Sequence, residues 1–149
     1  MEFPLFLIPI LVGLVAQSLK PLFNRSWYAK LEDSGGKTLP RYGGMPSAHT
    51  AFAFSLATVV AMAEGFSGVP FVIASVILII ILDDALRMRI FLGRYGAALR
   101  RLIVKLPERE QAHYPYLEER LGHKMPEVIA GGLVGIGLTS LIMWLMVVW

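Results

Sequence analysis

Four apolar stretches, about Phe3–Leu19, Pro46–Ala63, Val69–Leu82 and Val128–Trp149, leave this chain few ways to fold. A membrane-spanning helix needs about 20 apolar residues, with roughly 17 to 25 tolerated. The first, second and fourth stretches meet that length. The third offers 14 residues before Asp83, so its helix either ends there or runs on through charged residues. Pro70 suits a helix start, and the absence of proline from there to Leu106 lets the helix pass the membrane edge. Charged residues make up only 17% of the chain, where a soluble domain carries about 25%. The expectation is a single domain over residues 1–149. It is an all-α integral membrane protein, a four-helix transmembrane bundle with a peripheral cytoplasmic helix and loop between helices three and four.

The N-terminal stretch carries Glu2, two prolines and no basic leader, so it reads as a retained helix and not a signal peptide. Glu64-Gly65-Phe66-Ser67-Gly68 reads as a tight turn between helices two and three. Trp144 and Trp149 fit an interfacial aromatic belt. With no cysteine, disulfides and thiolate metal sites are excluded. All 14 Lys and Arg fall in residues 20–41 and 87–124. They lie between apolar runs and not in a patch interleaved with aromatics, so membrane topology explains them better than nucleic acid. A path of four spans puts both basic segments on one face, and the positive-inside rule makes that face cytoplasmic. Both termini then lie outside a multi-pass chain in the cell (inner) membrane.

The same path gathers the chemistry-bearing residues at one membrane face. Helix one ends with Gln17 and Lys20. Helix two opens with Gly43-Gly44-Met45-Pro46-Ser47-Ala48-His49. Helix three ends with Asp83, Asp84, Arg87 and Arg89, followed by Gly93-Arg94. Helix four opens with Leu121-Gly122-His123-Lys124-Met125-Pro126-Glu127. Helices two and four each have a proline near the first helical position, so two positive helix ends point toward one place. Gly43 and Gly44 let backbone N–H groups approach an anion. Lys20 and Arg89, with Arg41, Arg87 or Arg94, add cationic donors. Of His49 and His123, one can attack phosphorus while the other protonates the leaving oxygen. Glu127, four residues after His123, can hold the second ring nitrogen.

Some of these residues have simpler readings. Ser47 suits a helix cap, and Glu127 suits a helix dipole. Gly131 and Gly135 suit a packing face, and His113 a solvated loop. Asp83 and Arg87 are four apart and can pair. Asp84 and Arg89 are five apart, about 140° round an ideal helix, so a simple pair is not expected. Arg89 instead shares a face with Ala85, Gly93 and Gly96, which points it into the bundle toward an anion such as a substrate phosphate.

At these residues the chain resembles the phosphatidic acid phosphatase type 2 superfamily. Pro46-Ser47-Ala48-His49 is similar to its Pro-Ser-x-His motif, and His123-x-x-x-Glu127 to its His-x-x-x-Asp element. The order of Gln17/Lys20, Gly43–His49, Asp84-Ala85 with Arg89 and Gly93-Arg94, and Leu121-Gly122-His123 with Glu127-Val128 resembles a divergent membrane branch. That branch is described as acid phosphatase/vanadium-dependent haloperoxidase-related. The resemblance covers nearly the full length. Leu117 stands where the superfamily's third motif has arginine, and the resemblance implies Arg89 as its substitute from another helix. Within the branch, Arg87, Ile90 and Tyr95 replace an expected glycine, arginine and glutamine.

The resemblance implies a membrane lipid-phosphate phosphatase acting through a phosphohistidine. Its substrate would be phosphatidate, phosphatidylglycerophosphate or a polyprenyl (di)phosphate. His123 is then the nucleophile, His49 the acid and Glu127 the orienting carboxylate. Lys20, Gly43, Gly44, Ser47 and Arg89 bind phosphate, with Gln17, Asp84, Arg87 and Arg94 supporting. Neither metal nor cofactor is implied. The alternative is a non-catalytic lipid-phosphate binder or transporter using the same anion site. The partners expected are the lipid substrate and the bilayer, with no nucleic acid. A homodimer is compatible with so short a bundle, which buries little surface.

Overall fold

The computed structural model describes residues 4–23, 31, 32, 38, 39, 44–111, 113, 114 and 125–148. Its helices are α1 (Leu7–Phe23), α2 (Ala48–Glu64), α3 (Val69–Asp83), α4 (Arg89–Ile103), α5 (Glu108–Gln111) and α6 (Met125–Val148). A single π-helical turn, Asp84–Met88, joins α3 to α4. The strands β1 (Leu31–Glu32) and β2 (Thr38–Leu39) pair antiparallel.

Buried residues on α1 recur at four-residue spacing: Ile8, Val12, Ala16 and Lys20. This is the stripe of a helix with one packed face. The first three join Ala51 and Val59 of α2 and Met143 of α6 in the core. α1, α2 and α6 pack on one another, and α3 packs on α2. Only Ala74 of α3 is buried, and most of its aliphatic side chains face outward. The turn between α2 and α3 falls at 65–68 as expected. Gly65 closes α2 at φ +80°, a left-handed conformation that suits glycine. Gly68 caps α3, with Pro70 in its first turn.

α2 and α6 meet almost backbone to backbone. A β-carbon on Gly131 would collide with the Ser47 carbonyl oxygen, and one on Gly135 would lie 2.5 Å from the Ala51 carbonyl oxygen. One turn further on, the hydroxyls of Ser55 and Thr139 are hydrogen-bonded in the core. The partners keep a constant offset of 84 residues, so the two helices run parallel. Small residues every fourth position on α6 permit this approach, as they do where helices associate in lipid. The packing reading of Gly131 and Gly135 therefore holds.

The third apolar stretch does not end at Asp83. α3, the π turn and α4 form one continuous helix of 35 residues, Val69–Ile103. At about 1.5 Å per residue it is roughly 50 Å long, well beyond a hydrocarbon core of about 30 Å. This helix and α6 are long and apolar enough to cross a membrane. α1 and α2, at 17 residues each, sit at the lower end of the spanning range. α1 is displaced by about one turn from the expected Phe3–Leu19, which brings Lys20 and Pro21 inside its last turn.

Candidate functional site

The buried stripe of α1 ends in a cation. Lys20 is only 6% exposed, and it continues the line of Ile8, Val12 and Ala16 toward the end where α2 and α6 begin. Its aliphatic stem extends the apolar stripe, while its ammonium requires an electrostatic partner. Glu127, in the first turn of α6, interacts with it electrostatically. The backbone of Glu127 also ties the two parallel helices together: its carbonyl oxygen accepts the Ser47 N–H at 3.0 Å.

Ser47 is the N-cap of α2 and is fully buried. Its Oγ accepts from the Thr50 amide at 3.4 Å and from the Thr50 hydroxyl at 2.9 Å. Its own carbonyl accepts the Ala51 N–H at 2.9 Å. The cap reading of Ser47 is therefore realised. Pro46 is correspondingly not at the first helical position: it stands before the cap, preceded by a cis Met45–Pro46 peptide. Pro126 does lie in the first turn of α6. Gly44 has φ +94°, which only glycine adopts without strain. His49 is in the first turn of α2 but faces outward, unlike Ser47 and Thr50. Lys20, Ser47 and Glu127 thus come together where two parallel helices start side by side. Gly43 and His123 lie outside the described residues, and so does the facing of His49 by His123.

The expectation for Asp84 and Arg89 is overturned. Arg89 Nε donates to Asp84 Oδ2 at 2.7 Å. The π turn makes this possible: the Arg89 amide donates to the Asp84 carbonyl, a bond spanning five residues where an α-helix spans four. The extra residue in the turn brings positions five apart onto one side. The pair is about half exposed, and the anion that meets Arg89 is Asp84. On the same stripe Ala85 and Gly93 are buried and Gly96 is half-buried.

The remaining supporting candidates are exposed. Arg87 pairs with Asp83 at 3.2 Å on the surface, as its spacing predicts. Arg94 lies 5.8 Å from the centroid of the Phe91 ring. Gln17 is on an exposed face of α1. His113 is exposed, near the Arg109 carbonyl. The sequence reading missed Thr50, Ser55 and Thr139. Their signal was available: each is a hydroxyl residue in an apolar helix, four residues along a small-residue line or three after a candidate cap.

In chemical terms, two parallel helices place their positive dipole ends together. A buried ammonium lies at the same end. Such an arrangement favours an anion, and an adjacent carboxylate tempers the charge when none is bound.

Residues 1–138 match the family described as Divergent PAP2 family. The chain is 33% identical over 110 residues to the uncharacterized membrane protein YuiD of Bacillus subtilis (strain 168), covering 65% of this chain and 68% of that protein. No solved structure matches. The apolar helices and the membrane-protein relative together associate the chain with a membrane.

Proposed function

The chain belongs to the Divergent PAP2 family, and from that premise we propose that it is a membrane phosphatase of lipid phosphates. In this reading α1, α2, α3 and α6 all cross the bilayer. The termini are outside, and the site lies at the cytoplasmic membrane edge of the cell (inner) membrane, where a lipid phosphate can react with its tail in the hydrocarbon. The substrate is phosphatidate, phosphatidylglycerophosphate or a polyprenyl (di)phosphate. The small core makes a homodimer part of the reading.

The single observation that carries it is the buried Lys20 at the shared start of two parallel helices. Lys20 and the N-terminal, positive ends of α2 and α6 hold the phosphate, with the Gly43-Gly44 backbone as a cradle. Ser47 fixes the start of α2 through its cap and its bond to Glu127. His123 attacks phosphorus in line and the lipid oxygen leaves with a proton from His49, giving a phosphohistidine that water hydrolyses. Glu127 orients His123, and the steps use no metal. Arg89 joins the phosphate by exchanging Asp84 for it.

The test is inorganic phosphate release across those lipids by purified protein, with and without chelator. Release by the wild type that is lost in His123→Ala and in His49→Ala is expected. Full turnover by either variant overturns the catalytic assignment.

A non-catalytic lipid-phosphate binder is the second reading. It is favoured by two observations: Ser47 Oγ is engaged by Thr50, and Arg89 by Asp84. That reading predicts a thermal shift with lipid phosphate and no phosphate release.

A further inference from the structure

α4 leaves the membrane-crossing part of the long helix with three distinct faces. Gly93 is buried on the inner one. Phe91, Leu92, Tyr95, Leu99 and Leu102 are all exposed, and on a helical wheel they fill an arc of about 100°. Arg94, Arg101 and Lys105 flank that arc on the side away from Gly93. An exposed apolar arc of this size needs a cover.

The charge decides which cover fits. From Arg89 to Lys105 there are five Lys and Arg and no Asp or Glu. Arg89 pairs with Asp84, while Arg94, Arg101 and Lys105 lie beside the arc. A second copy docked symmetrically through this face would set like charges against like. An anionic lipid surface offers both what the arc needs and what the cations need: acyl chains for the aromatic and leucine side chains, phosphates for the arginines. The helix is also continuous with one that enters the bilayer. At the junction, the π turn is a site where helices bend.

We propose that α4 is an interfacial helix, seated by Phe91, Leu92, Tyr95, Leu99 and Leu102 in the headgroup layer of an anionic leaflet. Bending at the π turn lets α4 lie in the interface while α3 crosses it. Arg94, Arg101 and Lys105 reach phosphates at its edge. This inference does not depend on any chemistry at Lys20.

The chain has no cysteine, so single-cysteine labelling is clean. The full chain is reconstituted in nanodiscs of phosphatidylglycerol and phosphatidylcholine, or of phosphatidylcholine alone. An environment-sensitive fluorophore is placed at Leu99→Cys, at Leu102→Cys or, as reference, at Lys105→Cys. In anionic discs the labels at 99 and 102 are expected to be quenched by brominated lipid and shielded from aqueous iodide, with the label at 105 reversed. The lipid quenching at 99 should weaken in phosphatidylcholine alone, in high salt, and in the Arg101→Glu/Lys105→Glu variant. Three outcomes overturn the proposal. One is equal iodide quenching at 99 and 105 in anionic discs. Another is shielding at 99 that appears only with two copies per disc, which marks a second copy as the cover. The last is shielding without lipid quenching, unchanged by lipid charge, which marks another part of this chain.

Discussion

The α2–α6 pair and the α3–α4 helix are built on opposite terms. The first is dry and close: carbonyl oxygens of α2 lie against glycines of α6, and the polar side chains Ser47, Thr50, Ser55 and Thr139 are fully buried. The second is nearly bare, with one buried residue in α3 and its ion pairs on the surface. In the proposed function, close packing at one place and an exchangeable ion pair at the other serve an anion site at the membrane edge. The close pair fixes two helix starts and a buried lysine in relative position. The long helix carries an arginine whose partner is half exposed and therefore exchangeable.

Substitutions at α6 glycines give the largest effect and test the first half of the comparison. Gly135→Leu must drive α2 and α6 apart, since even a β-carbon meets the Ala51 carbonyl at 2.5 Å. Overpacking costs about 1–3 kcal/mol and more where backbone is the obstacle, so loss of the cooperative melting transition in detergent is expected. Gly137→Leu, with nothing within 4 Å of its β-carbon, should melt near the wild type. Equal melting of the two variants would break the account of the interface.

Next in size is the cap. Ser47→Ala removes the acceptor of two hydrogen bonds from Thr50, at a cost of about 1 kcal/mol. A melting temperature lowered by a few degrees is expected, with Thr50→Val, which keeps the amide bond, lowered less. The surface pairs of the long helix come last. Asp84→Ala and Asp83→Ala each remove an exposed ion pair, worth about 0.2–1 kcal/mol or less. Neither should move the melting temperature as far as Ser47→Ala. If Asp84→Ala proves the most damaging, the long helix is not the loose region described here.

The sequence made the helices, the 64–68 turn, the small-residue face of α6 and the common end of Lys20, Ser47 and Glu127 legible. Each follows from hydrophobic run length, glycine placement or charge distribution. Two features escaped for physical reasons. The Asp84–Arg89 pair depends on a hydrogen-bonding pattern, one bond spanning five residues, that no 3.6-residue period encodes. Hydropathy alone ends the first helix at Leu19. The helix continues because the Lys20 stem extends the packed stripe, which a residue-level scale counts only as a charge. Ser47 was legible as either cap or ligand, and only its bonds to Thr50 distinguish a buried cap from an open hydroxyl.

The central claim is that Lys20 at the paired helix starts holds a lipid phosphate for reaction. The most direct test is the rate of phosphate release from phosphatidate, phosphatidylglycerophosphate and polyprenyl diphosphate by wild-type protein and by Lys20→Met, whose apolar chain fills the same stripe. Release by the wild type is predicted, falling about 100-fold or more in Lys20→Met at an unchanged melting temperature, the scale expected for loss of one charge-stabilising donor. Wild-type turnover by Lys20→Met, or no release from any of these lipids by folded wild-type protein, would contradict it.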